Sequence, residues 1–152
     1  MSYSILCEGA PEENMDGSGN WESFVNDHLL SNGTVTGVSL LSQQGACLYS
    51  MGALTDFHKI SDAKQFLRIF NPSQTSLMRP KLNVYVTGQG TLNFQVHKQT
   101  NCSLYAASVG SHVGLLVGNL PYGVLVCTHL HQEPYIARAR KQFEHVCGLL
   151  RS

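Results

Sequence analysis

Charge is scarce in this sequence, and carboxylate is scarcest where it would matter for catalysis. Charged residues make up 13% of the 152 positions, about half the quarter usual in globular domains. Beyond Asp62 the only carboxylates are Glu133 and Glu144, so no pair is placed for general acid–base work. There is no nucleophile elbow, P-loop or dinucleotide fingerprint. Ser111-His112 and Asp56-Phe57-His58 are pairings of the kind chance produces. The five cysteines, Cys7, Cys47, Cys102, Cys127 and Cys147, are odd in number, irregular in spacing and without a C-x-x-C. That pattern argues against a disulfide framework and points to reduced thiols in a cytosolic setting. Asn32-Gly33-Thr34 and Asn101-Cys102-Ser103 are formal glycosylation sequons, expected to be unused in a chain without a signal peptide. No apolar run is long enough to cross a bilayer as a helix. These absences together point to a non-enzyme.

What is present is a core and many turns. Apolar residues are 43% of the chain and glycines number fourteen, which suits one compact, turn-rich sheet domain. The formal net charge is zero but unevenly placed. Residues 1–17 carry Glu8, Glu12, Glu13 and Asp16 and no Lys or Arg. The remainder holds all ten basic residues and six acidic ones, a net of +4. This predicts an acidic flexible tail at 1–17 and a weakly basic domain at 18–152. Such a domain suits an acidic protein or an anionic phospholipid surface. It is far from the basic density of a nucleic-acid binder.

The only Trp sits in Gly19-Asn20-Trp21-Glu22-Ser23-Phe24-Val25-Asn26-Asp27-His28-Leu29-Leu30. Trp21, Phe24, Val25 and His28 fall three or four apart, on one stripe of a first helix that Asn20 can cap. The stripe reads either as core or as part of a peptide-binding surface. Ser31-Asn32-Gly33 stops it. Val35–Leu41 and Cys47–Met51 read as strands joined through Gln43-Gln44-Gly45. A second helix is expected from about Ser61 to Phe70, capped by Ser61 and Asp62 and stopped by Asn71-Pro72. Five strand signals follow, Leu82–Thr87, Leu92–His97, Cys102–Ala107, Val113–Val117 and Val124–His129. The breaks between them are too short for parallel crossovers, so these strands must pair antiparallel. A last helix spans about Pro134–Leu150, its apolar side made of Ile136, Phe143, Val146, Cys147 and Leu150. The fold class is α+β, a seven-stranded antiparallel sheet with helices on its faces.

That order of elements resembles profilin over residues 19–152. Gly19-x-Trp21-x-x-Phe24-Val25-x-x-x-Leu29 resembles the family's opening. Cys47-Leu48-Tyr49-Ser50 is similar to its second strand, Ile60-Ser61-Asp62-Ala63 to the start of its middle helix, and Arg140-Lys141-Gln142-Phe143-Glu144 to the Lys-Lys-x-Tyr-Glu of its last helix. The resemblance implies terminal helices together on one side of the sheet and the middle helix on the other. It implies a cytoplasmic, cytoskeleton-associated regulator that binds actin monomers, proline-rich peptides and phosphoinositides. By resemblance, actin contacts fall on His97, Arg140, Lys141, Phe143 and Glu144. Polyproline contacts fall on Trp21, Phe24 and Tyr49.

The sequence departs from the family at both surfaces. Pro134-Tyr135-Ile136 stands where the family has His-Gly-Gly, whose small residues allow close backbone approach. Phe24 lacks the hydroxyl of the family Tyr. Gly148 stands near the family His, and the family's terminal Tyr has no counterpart. Polyproline binding is therefore expected to be weakened. Two other readings stay open: an adaptor with this fold that binds a different protein or peptide, and a small-ligand sensor. No cofactor is implied. One metal-ligating pattern stands out: Cys127, His129 and His131 alternate along a strand, and three such ligands can make an open zinc site. The same alternation also fits Cys127 inside a buried strand with His131 in the following loop.

Overall fold

The computed structural model describes residues 23–31, 33–60, 63–70 and 81–151. The expected tail at 1–17, Trp21, and the caps Ser61 and Asp62 lie outside these residues. Helix α1 covers 23–30 and closes in a π turn at Asn26–Leu30. Gly33 ends it with φ 75°, the left-handed conformation a Cβ would oppose. Seven strands follow among the described residues: β1 Val35–Ser42, β2 Cys47–Gly52, β3 Lys81–Val86, β4 Gly90–Gln99, β5 Ser103–Ser108, β6 Val113–Leu120 and β7 Gly123–Leu130. They make one sheet of order β2-β1-β7-β6-β5-β4-β3, with every pair antiparallel. Helix α4 is Tyr135–Arg151.

The expected single middle helix is corrected. Two short helices stand there, α2 Phe57–Ile60 and α3 Gln65–Arg68. The first begins four residues before the anticipated start because Leu54, Phe57 and Phe66 are all fully buried and must reach the sheet together. Phe57 and Phe66 meet edge to face, ring centroids 5.8 Å apart.

The period-two alternation of the strands divides the core into two faces. Val124 and Val126 of β7, Leu115 and Val117 of β6, and Val84, Val86, Phe94 and Val96 pack with Phe57 and Phe66 on one side. Leu125, Cys127, Leu116, Tyr105, Val38 and Leu40 pack on the other with Val25 and Leu29 of α1 and Ala139, Phe143, Val146 and Cys147 of α4. The terminal helices thus share one side and the middle helices hold the opposite one. Gln142 fastens the terminal helices together. Its Nε2 donates to the carbonyls of His28 (2.8 Å) and Leu29 (3.2 Å), two groups that the end of α1 leaves without helical partners. The far end of α4 is tied down by Arg151, which donates to the carbonyls of Cys102 (2.8 Å) and Asn119 (3.0 Å).

Helix α4 packs on β6 directly over Gly118, where there is no room for a side chain. A Cβ built there would stand 2.8 Å from Cys147 Sγ and 3.0 Å from Phe143 Cζ. The β3 edge is closed by a side chain. Gln65 Nε2 donates to the Asn83 carbonyl (2.8 Å) and its Oε1 accepts from the Asn83 N–H (3.2 Å). These are the groups a further strand would use, so Gln65 occupies the pairing position.

The terminal helices cover only part of their side. Helix α4 packs on β6 and β7, and α1 packs on β1 and α4. Strands β3 and β4 bury the opposite face, and of their alternate residues Lys81, Asn83, Thr91, Asn93, Gln95 and His97 are exposed and Tyr85 is half-buried. Among the described residues a strip of sheet beside α4 is therefore left uncovered by any helix, and the basic residues of interest gather along it.

Candidate functional site

The open strip is shaped by a β-bulge. Across β4 and β5, Val96 pairs with Ala106 and Lys98 with Tyr105, so His97 is the extra residue. A bulge lets two neighbouring residues share a face that ordinary alternation would split. Val96 points into the middle-helix core. Lys98 nevertheless brings its Nζ over the Tyr105 ring, 5.9 Å from the centroid, on the terminal-helix side. Both His97 and Lys98 are exposed. The expected strand at Leu92–His97 had ended at the bulge; the observed one continues through it to Gln99.

Arg140 approaches the same ring from α4. Its guanidinium carbon stands 4.7 Å from the Tyr105 centroid, a cation–π arrangement. The Arg140 Nε is buried and has no hydrogen-bond partner among the described residues. With Ala139 and Phe143 facing the core, the helical period puts Arg140 and Glu144 on the flank toward the open strip. Lys141 lies on the exposed crest.

Three imidazoles complete the patch. The rings of His97 and His131 lie parallel, 2° apart in plane with centroids 6.1 Å apart. His129 and His131 stand 6.0 Å apart. His129 is 2% exposed, and its Nδ1 lies 3.0 Å from the Leu130 carbonyl. It fits because Gly114 stands opposite it in the β6–β7 register, where a Cβ would overlap the ring. His112 is joined through its carbonyl, which accepts from the His131 N–H at 2.8 Å. Burial pushes the affinity of His129 for a proton below its ordinary value. His131 is lowered too, first by burial and then by the neighbouring His97 and Arg140.

The sequence-predicted residues separate into three groups. His97, Arg140, Lys141 and Glu144 line or border the open strip. Phe143 does not: it is fully buried in the helix-side core against Gly118. Its place among the contact residues is corrected, because a side chain at that depth cannot meet a partner while α4 stays docked. The exposed apolar residues at this end are Leu130, 38% exposed, and Tyr135, 39% exposed. Lys98, Tyr105 and His112 also belong to the patch and were not singled out from sequence. Only the bulge brings Lys98 and Tyr105 together, and no local pattern announces it.

The polyproline candidates lie elsewhere, where α1 meets the β1–β2 edge. Phe24 and Tyr49 are both half-buried against the helix-side core. Phe24 packs on His28 with centroids 4.6 Å apart, and the Tyr49 hydroxyl lies 3.4 Å from Met51 Sδ. Trp21 falls outside the described residues.

The suggested zinc pattern is not assembled. Cys127 is fully buried among apolar residues of the sheet and α4. Burial raises its thiol well above the ordinary value and pushes that of Cys147 up to about 12, so both are inert thiols rather than metal-ready thiolates. Among the described residues no three His, Cys, Asp or Glu side chains converge as a metal would require. No helix among them is long and apolar enough to cross a membrane.

No protein-family model matches this chain, and no curated protein matches it by sequence. Solved structures do match. LokiProfilin1 in complex with rabbit actin superposes with a TM-score of 0.63 at 13% identity, covering 87% of this chain and 97% of that one. LokiProfilin2, also solved with rabbit actin, gives 0.61 at 10% identity, with 87% and 98% covered. Profilin IB of Acanthamoeba castellanii gives 0.60 at 15% identity, with 85% and 98% covered. Each match covers most of both chains, and the fold of this chain is that of a profilin.

Proposed function

We propose that this protein is an actin-monomer-binding regulator of cytoskeleton assembly, acting in the cytoplasm by docking rather than by catalysis. The observation that carries the reading is the open strip between α4 and β4–β5. It presents Arg140, Lys141, His97 and Lys98 around Tyr105, with Leu130 and Tyr135 exposed at the same end. Cations around a small apolar centre suit an acidic protein face. Two similarly folded proteins, LokiProfilin1 and LokiProfilin2, were solved with rabbit actin.

Tyr135 and Ile136 add bulk where close docking favours small residues, so the affinity is expected to be modest and charge-driven. Charge steering fades with salt, with a Debye length of about 8 Å at physiological strength. The test is a titration of labelled actin monomers at low and physiological salt with wild type and Arg140→Glu/Lys141→Glu. Wild type binds, more tightly at low salt, and the variant binds at least about tenfold more weakly. Equal binding by both proteins, or none at low salt, would remove the actin reading.

Polyproline binding is a weaker function in this proposal. Phe24 supplies no hydroxyl, and the Tyr49 hydroxyl is directed at Met51 Sδ.

A further inference from the structure

The imidazoles beside Arg140 have no role in the reading so far, and their arrangement gives them one. His97 and His131 are parallel and adjacent, His129 stands behind His131, and His112 is bound to the His131 backbone. Two nitrogens among these groups lack partners: Arg140 Nε, a donor, and His131 Nδ1, which donates once the ring is protonated, are both buried without a hydrogen bond among the described residues. Buried polar atoms are usually satisfied, so an unfilled pair beneath a surface patch favours an acceptor that reaches the accessible parts of Arg140 and His131, directly or through a bridging water. The charged and titratable neighbours come from every element around the patch: His97 and Lys98 on β4, Tyr105 on β5, and His112 in the β5–β6 loop. His129 on β7, His131 and Glu133 in the loop after it, and Arg140 and Glu144 on α4 complete the set. Two of these are carboxylates, against Arg140, Lys98 and four imidazoles that can each add a charge.

We propose that this patch is a proton-sensitive receptor for carboxylate side chains of an acidic protein partner, which it holds more tightly as the pH falls. The partner's carboxylates accept from the guanidinium and from the protonated imidazoles. The inference rests on the actin reading for the partner's identity but not for the chemistry of the patch. The direction follows from charge. Burial lowers the proton affinity of His131 and His129, so these two take up protons only on acidification below the ordinary histidine range. A carboxylate seated beside His131 offsets the repulsion from His97 and Arg140, so docking and protonation favour each other.

The test has two arms. In the first, hexaglutamate is titrated into isotope-labelled full-length protein at pH 7.5, 6.5 and 5.5, following imidazole and backbone resonances. Shifts are expected at His97, His131 and Arg140, with binding about fivefold tighter at the lowest pH, a gain of the size expected from one or two half-exposed ion pairs. His97→Gln/His131→Gln should lose the pH dependence, and His145→Gln, beside α1, should keep it. If the double variant does not fold, His97→Gln alone, at an exposed position, serves instead. Absence of shifts at the patch, or an unchanged pH dependence in the variant, overturns the proposal. The second arm repeats the comparison with actin monomers at pH 7.5 and 6.5. Peptide binding without actin binding leaves the patch standing and refutes the actin reading. Actin binding with the same pH dependence in wild type and variant refutes the patch and leaves the actin reading.

Discussion

Gly118→Ala is the sharpest perturbation of the helix-side core. The added methyl would lie 2.8 Å from Cys147 Sγ and 3.0 Å from Phe143 Cζ, and both side chains are buried in a helix that also carries Arg140. Neither partner is a flexible surface group, so α4 must move away from β6 or the side chains must leave their rotamers. Overpacking of this kind costs about 1–3 kcal/mol. For a chain of this length each kcal/mol lowers Tm by about 2–4 °C, so the variant should melt about 2–12 °C below wild type. A double-mutant cycle isolates the cause. Cys147→Ala alone removes a buried sulfur and should cost about 1 kcal/mol. Combined with Gly118→Ala it also removes the nearer overlap, so the double variant should be more stable than the sum of the two losses by about 1 kcal/mol. Thermal and denaturant melts followed by circular dichroism give all four corners. Gly118→Ala melting within a degree of wild type, or strictly additive losses, would refute the close-approach argument.

Phe143→Ala separates core from contact. As a fully buried aromatic it should lose about 3–5 kcal/mol of stability, while Lys141→Glu, on the exposed crest of α4, should leave the melt nearly unchanged. A stable Phe143→Ala protein that only loses partner binding would return Phe143 to the surface. The pH dependence of stability follows from His129 and His131, whose proton affinities are lowered in the folded state. The unfolded chain binds protons on these side chains first, so acidification favours unfolding. Their contribution should be complete above pH of about 6.5 and be lost progressively below it, toward their lowered folded values. Melts between neutral and mildly acid pH check this, and a Tm that rises on acidification across that window would contradict the sign.

Much of the fold was legible because strands and turns announce themselves locally. Gly45, Gly88, Gly90 and Gly110 adopt positive φ at strand breaks, where the sequence placed turns. The alternation of Leu125 and Cys127 with Val124 and Val126 already encodes the two faces of β7. The middle helices were less legible, because Leu54, Phe57 and Phe66 form no single 3.6-residue stripe. They are gathered by the sheet rather than by one helix. Phe143 shows a different limit. The resemblance carried its position along α4 but not its depth, although the 139, 143, 146, 147 spacing marks the buried stripe. The patch was half legible. His97, Arg140 and Lys141 were named, but the stacking of His97 on His131 joins residues far apart in the chain. The bulge that turns Lys98 toward Tyr105 depends on a register no local sequence specifies.

The central claim is that the partner docks on the open strip beside α4. It is tested most directly by mapping the resonances of the labelled full-length protein that broaden when unlabelled actin monomers are added at low salt. The account predicts broadening at His97, Lys98, Leu130, Tyr135, Arg140 and Lys141, with Phe24, Tyr49 and the β1–β2 edge undisturbed. Broadening centred on that edge instead, or none anywhere, would contradict it.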